Sequence, residues 1–102
     1  MTDHTTDTTE SIQDMNLDEL REEIADIDNG IVELIARRTY VADAVAQVKA
    51  EQDLPTTDET QEERVMQRAG ENADHFGVDS NLVKAIFRLL IEINKAEQRQ
   101  NR

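Results

Sequence analysis

A chain of 102 residues is long enough for one domain with a modest core. Its 23 acidic residues against 11 basic ones leave a net charge of −12, which excludes general binding to nucleic acid or anionic membrane, because phosphate neutralisation needs Lys and Arg in excess. There is no cysteine, so disulfides and thiolate chemistry are excluded, and no apolar run reaches the length of a membrane span.

Residues 1–14 are rich in Thr, Asp and Glu without apolar periodicity and read as a disordered acidic tail, with His4 inert inside it. The rest, 15–102, reads as one helical domain. Its first helix opens at Asn16, an N-cap with Glu19 as the reciprocal residue of a capping box and Met15 and Leu20 as a hydrophobic staple. Apolar residues then fall at steps of three and four: Leu17, Leu20, Ile24, Ile27, Ile31, Leu34, Val41, Val45 and Val48. That spacing predicts one face of a helix running to about residue 51. At 1.5 Å per residue the helix is roughly 50 Å long, more than two shorter helices can shield. The uncovered stripe predicts a second copy of the chain, antiparallel about a two-fold axis. Gly30, inside the helix, fits a close approach by another helix.

Gln52 to Thr57, with the single proline Pro55, form a connection. A second helix starts near Asp58, in capping-box spacing with Gln61, and carries Val65, Met66, Ala69 and Ala73. It ends at His75-Phe76-Gly77, where the glycine suits a left-handed residue. A third helix follows Asp79 as N-cap, with Leu82, Val83, Ile86, Phe87, Leu90 and Ile93 facing inward. No strand pattern or internal repeat is present. The expected fold is all-α, with long, short and medium helices in each chain of an intertwined antiparallel homodimer.

One position breaks the stripe of the first helix. Between Leu34 and Val41 the seam residue is Arg38, and a guanidinium on a packed face needs an anionic partner. No acid lies on the same stripe, so the partner comes from another helix or from a ligand. Lys49 lies eleven residues on, about 16 Å along the same face, whereas Arg21 lies about 25 Å from Arg38. In an antiparallel dimer, Arg21 of one chain can approach Arg38 of the other. Asn94 and Gln98 make the stripe of the third helix polar, and Glu62 stands one turn before Met66. Together these residues suit a small dicarboxylate that also carries a hydroxyl. Each also has a plainer role. A seam arginine serves interhelical salt bridges, Lys49 favours the helix dipole, Asp58 is a cap, Glu62 is a first-turn acid, and Asn94 can set helix register. His75 reads as a helix-end residue, and a lone histidine makes a poor metal site, so no metal is expected.

The ordered set of motifs resembles a known family. It comprises Leu-Arg-Glu-Glu-Ile…Asp at 20–28, Leu-Ile-Ala-Arg-Arg at 34–38, Val-Lys at 48–49, Pro55…Asp58…Glu62, and Ile-Phe-Arg-Leu-Leu-Ile-Glu…Asn…Gln at 86–98. Over residues 17–100, without a gap, the chain resembles the all-helical, intertwined-dimer chorismate mutases. The resemblance implies conversion of chorismate to prephenate in phenylalanine and tyrosine biosynthesis, without a cofactor. It implies that Arg38 and, from the opposite subunit, Arg21 bind the carboxylates. It implies that Lys49 and Gln98 donate to the ether oxygen, that Asp58 and Glu62 surround the substrate hydroxyl, and that Asn94 makes a further carboxylate contact. The chain departs from the family pattern at the start of the second helix. Gln61 stands where an arginine is common, with Arg64 one turn later. An isochorismate-pyruvate lyase on the same fold is the nearest alternative, and a non-catalytic helical dimer is the next. A regulatory binding domain is disfavoured, since the sequence stops after the third helix. The acidic bias, with only 3 lysines, resembles proteins of salt-rich cytoplasm, and a cytoplasmic location is expected.

Overall fold

The structure, a computed structural model, describes residues 12–55 and 58–100, with 97–100 as backbone alone. It contains α1 (Leu17–Glu51), α2 (Glu59–Phe76) and α3 (Ser80–Gln100), and no strand occurs among the described residues. The all-α class is as expected, and the three helices span 35, 18 and 21 residues. Of the acidic tail expected over 1–14, residues 1–11 lie outside the described residues, and 12–14 form a helical turn ahead of α1.

Local side-chain chemistry sets each boundary. At the start of α1, the Asn16 N–H donates to Glu19 Oε1 at 3.3 Å and the Glu19 N–H donates to Asn16 Oδ1 at 2.9 Å. This is a reciprocal box that satisfies two orphan donors. The chain leaves α1 through Asp53, whose φ of 58° is tolerated because a short polar side chain adopts the left-handed region more readily than most. The Asp58 carboxylate accepts from the Gln61 N–H at 3.1 Å and caps α2. Asp79 likewise caps α3 by accepting from the Leu82 N–H at 3.0 Å.

Gly77 closes α2 at φ 70° and ψ 31°, and the Val78 N–H reaches back to the Ala73 carbonyl at 2.9 Å. A side chain at this backbone geometry is strained. Gly77→Ala is therefore expected to cost about 1 kcal/mol and lower Tm by about 4–8 °C in a thermal melt. An unchanged Tm would contradict the left-handed cap.

By internal contacts the chain forms two units, residues 1–36 and 37–102. In the first, the amino-terminal part of α1 presents Leu17, Ile24, Ile27, Ile31 and Leu34, each more than half exposed. Apart from the neighbouring residues and backbone of its own helix, no heavy atom among the described residues lies within 4 Å of where a Gly30 Cβ would stand, so no close helix approach is seen there.

In the second unit α2 packs on α3 through small residues. Ala69, Gly70 and Ala73 are buried, and the Lys84 stem lies so close to Gly70 that an added Cβ would meet Lys84 Cε at 2.6 Å. Val65, Met66, Val83, Phe87 and Leu90 are half-buried. Leu82, Ile86 and Ile93, expected to face inward, are 65%, 54% and 45% exposed. Their periodicity is helical as read, but a single chain has too few neighbouring surfaces to cover them.

Candidate functional site

Arg38 lies on the carboxy-terminal part of α1 within the second unit and is half-buried. Its Nη1 donates to Asn94 Oδ1 of α3 at 2.6 Å, and its guanidinium carbon stands 5.8 Å from the centre of the Phe87 ring. Asn94 is the buried polar residue of this unit, 8% exposed, and its Nδ2 donates to Thr39 Oγ1 at 3.3 Å. Both ends of the amide therefore have partners, and Thr39 decides which end faces Arg38.

The seam guanidinium is met from another helix, as expected, but by a neutral amide and an aromatic face. Among the described residues no carboxylate pairs with it. Its pKa is lowered from the ordinary arginine value, first by burial and second by the like charge of Arg68 on α2. Both causes express the same deficit: a cation partly withdrawn from water beside another cation, with no anion supplied. A guanidinium stays protonated near neutrality even so, and the deficit is one that an anionic ligand would relieve.

Lys49, in the last turn of α1, is half-buried and lines a concavity of about 480 Å³ with Leu54, Pro55 and Asp58. The turn at Asp53 folds that wall back toward the helix end, where the Leu54 N–H donates to the Lys49 carbonyl at 2.7 Å. Glu62, in the first turn of α2, lines a groove of about 450 Å³ with Met66, Ile91 and Lys95, and Glu59 borders both hollows. The Glu62 Oε1 is 2.6 Å from the Lys95 ammonium.

The structure thus joins Arg38 to Asn94 directly and brings Lys49 and Asp58 to one concavity. Asp58 acts as the α2 cap, and Gln61 contributes its backbone N–H to that cap while its side chain is exposed. Arg64 is exposed too. Gln98 lies on α3 one turn beyond Asn94, with its side chain outside the described residues. Arg21 is exposed on the first unit. His75 stacks edge-on against Phe76 at 4.9 Å, as a helix-end residue, and no metal-holding cluster occurs among the described residues.

Sequence reasoning missed four contributors. Thr39 was hidden as the neighbour of the conspicuous arginine, and Phe87 read only as core. Arg68 and Lys95 belong to none of the motifs and drew no reading from the sequence. Helical phase offered a signal for Lys95 alone, which stands three residues before Gln98.

The assembly binds and orients. It offers charged and amide donors, with a carboxylate at each hollow. Residues 20–99 match the family model described as chorismate mutase type II. The chain is similar to a chorismate mutase of Methanocaldococcus jannaschii, 39% identical over 84 residues that cover 82% of this chain and 85% of the relative.

Proposed function

The chain belongs to the type II chorismate mutase family, and we propose that two copies of it build each active site together. Its activity is the isomerisation of chorismate to prephenate. In this Claisen rearrangement an ether C–O bond breaks as a C–C bond forms within one molecule. The step needs no nucleophile, cofactor or obligatory proton transfer. The protein has only to hold a flexible dianion in its reactive chair-like shape and stabilise charge gathering on the ether oxygen.

The observation that carries the site assignment is the half-buried Arg38 guanidinium, paired with a neutral amide and crowded by Arg68. A substrate carboxylate supplies the missing negative charge, received by a planar fork already held in place by Asn94. Arg21 of the partner subunit takes the second carboxylate. Lys49 and Gln98 donate to the ether oxygen, Asp58 and Glu62 surround the hydroxyl, and Asn94 completes the carboxylate contact beside Arg38. Gln61 takes the position where the family commonly has an arginine.

Support for the pairing of chains comes from the uncovered stripe. Leu17, Ile24, Ile27, Ile31 and Leu34 are more than half exposed in the single chain. Covering a large apolar side chain fully contributes about 1.5–3 kcal/mol, so an antiparallel partner along α1 has ample driving force. Sedimentation equilibrium is expected to return a dimer. A monomer at assay concentration would remove the shared pocket.

Loss of chorismate absorbance with product identification tests the reaction itself. Prephenate is the expected product, and isochorismate is expected to yield no salicylate and pyruvate. Because Gln98 does not titrate, turnover is expected to stay flat across near-neutral pH, read from kcat profiles; a steep acid optimum would count against its role. The net charge of −12 repels a dianion at long range, and dissolved salt screens that repulsion. We place the protein in a salt-rich cytoplasm, where KM for chorismate falls as salt is raised from low ionic strength. No helix among the described residues is long and apolar enough to cross a membrane.

A further inference from the structure

Lys95 has no role in the site as assigned above, yet its ammonium stands 2.6 Å from the Glu62 carboxylate. The contact bridges α3 to α2, and both side chains are largely sheltered, at 30% and 28% exposure. Lys95 also approaches Glu92 at 3.8 Å, but that carboxylate is 63% exposed and one turn away on the same helix. Such surface pairs contribute little, so the short contact with Glu62 governs where the ammonium sits. The pair lines the groove between the two helices with apolar Met66 and Ile91 and with the charged Glu59, Glu63, Arg88 and Glu92, and its own low exposure limits its screening by water and salt. Along α3, Lys95 follows Asn94 directly and precedes Gln98 by three positions.

Charge balance gives this contact a task. The substrate is a dianion, and an unpaired Glu62 beside it would add a further negative charge in a sheltered place. An arginine at position 61 would stand next to Glu62 in sequence and offset it, but the residue there is the uncharged Gln61. We propose that Lys95 is a positioning residue that neutralises and orients Glu62, supplying from α3 the positive charge that Gln61 does not supply from α2. The proposal rests on the reading in which Glu62 lies in the substrate pocket.

The expected signature is in binding more than in turnover. Both substrate carboxylates are charged before and during the rearrangement, so offsetting Glu62 aids the ground state and the transition state alike. In the full-length protein, Lys95→Met is expected to raise KM for chorismate about tenfold with kcat within about threefold of the parent. Lys95→Arg keeps the charge and is expected to stay near the parent. Adding Gln61→Arg to Lys95→Met restores a cation from α2 and is expected to recover most of the lost KM. Thermal melts recorded on each variant separate binding from folding. An unchanged KM in Lys95→Met overturns the proposal. So does a lowered Tm with kcat falling and no recovery on adding Gln61→Arg, which marks the bridge as structural only. Failure of the parent chain to consume chorismate strikes the functional reading itself, and is distinguished by being seen before any substitution is made.

Discussion

Lys49→Ala and Arg38→Ala are each expected to lower kcat/KM for chorismate by about a hundredfold or more, with α-helical circular dichroism retained. Removing one preorganised donor from a site of developing charge typically costs about 3–4 kcal/mol. Lys49 is held at the end of α1 facing the concavity that Asp58 also lines, so its ammonium needs little reorganisation to meet an oxygen there. With Lys49 in the proposed role, its loss is expected to fall mainly on kcat, since charge builds on the ether oxygen only as the bond breaks.

Arg38→Ala carries a second effect, because Asn94 Oδ1 is buried and accepts from Arg38 at 2.6 Å. Left without a donor, such a carbonyl costs about 1–3 kcal/mol of stability, so a lower Tm accompanies the lost activity. Arg38→Lys separates the two. It keeps a cation but loses the fork that faces both the amide and a carboxylate, and most activity is expected to go with it. Near-parental turnover in Lys49→Ala or Arg38→Ala would refute the assignment of the site.

Arg21→Ala and Arg38→Ala chains, each expected to be nearly inactive alone, are expected to recover activity when refolded together. In a shared-site dimer, one pocket of a mixed pair inherits both intact arginines and the other inherits both substitutions. Random pairing of equal amounts makes about half the dimers mixed, each with one complete pocket of two, so about a quarter of the parental activity is expected to return. A recovery of this kind has no explanation in a site built from one chain. Activity that stays at the level of the separate variants would show that Arg21 does not serve a pocket holding the other chain's Arg38.

Both experiments probe contacts between parts of the chain that are far apart in sequence, and there the two sources of information separate. The helix boundaries were legible residue by residue. Asn16 with Glu19, Asp58 with Gln61, Asp79, and Gly77 act over three or four positions, and each makes the cap its spacing predicts. The stripe of apolar residues was legible for the same reason, since 3.6 residues per turn is a property of any helix. Family motifs placed Arg38, Asn94, Lys49 and Asp58 near one another in prospect, because their order and spacing are those of a known arrangement.

Partner choice was not legible. That Arg38 meets an amide and the Phe87 ring instead of a carboxylate, that Thr39 turns Asn94, that Arg68 adds its charge, and that Lys95 closes on Glu62 all depend on how α1, α2 and α3 of the second unit approach. Periodicity assigns a residue to a face of its own helix, but the neighbour it meets is set by interhelical distance and rotation. Those follow from the summed packing of small residues such as Ala69, Gly70 and Ala73. Local spacing therefore determined the helices and their caps from the amino-acid order alone. Only the tertiary arrangement decided which charges were neutralised and which were left awaiting an anion, because electrostatic pairing depends on distances between elements and not on position along one.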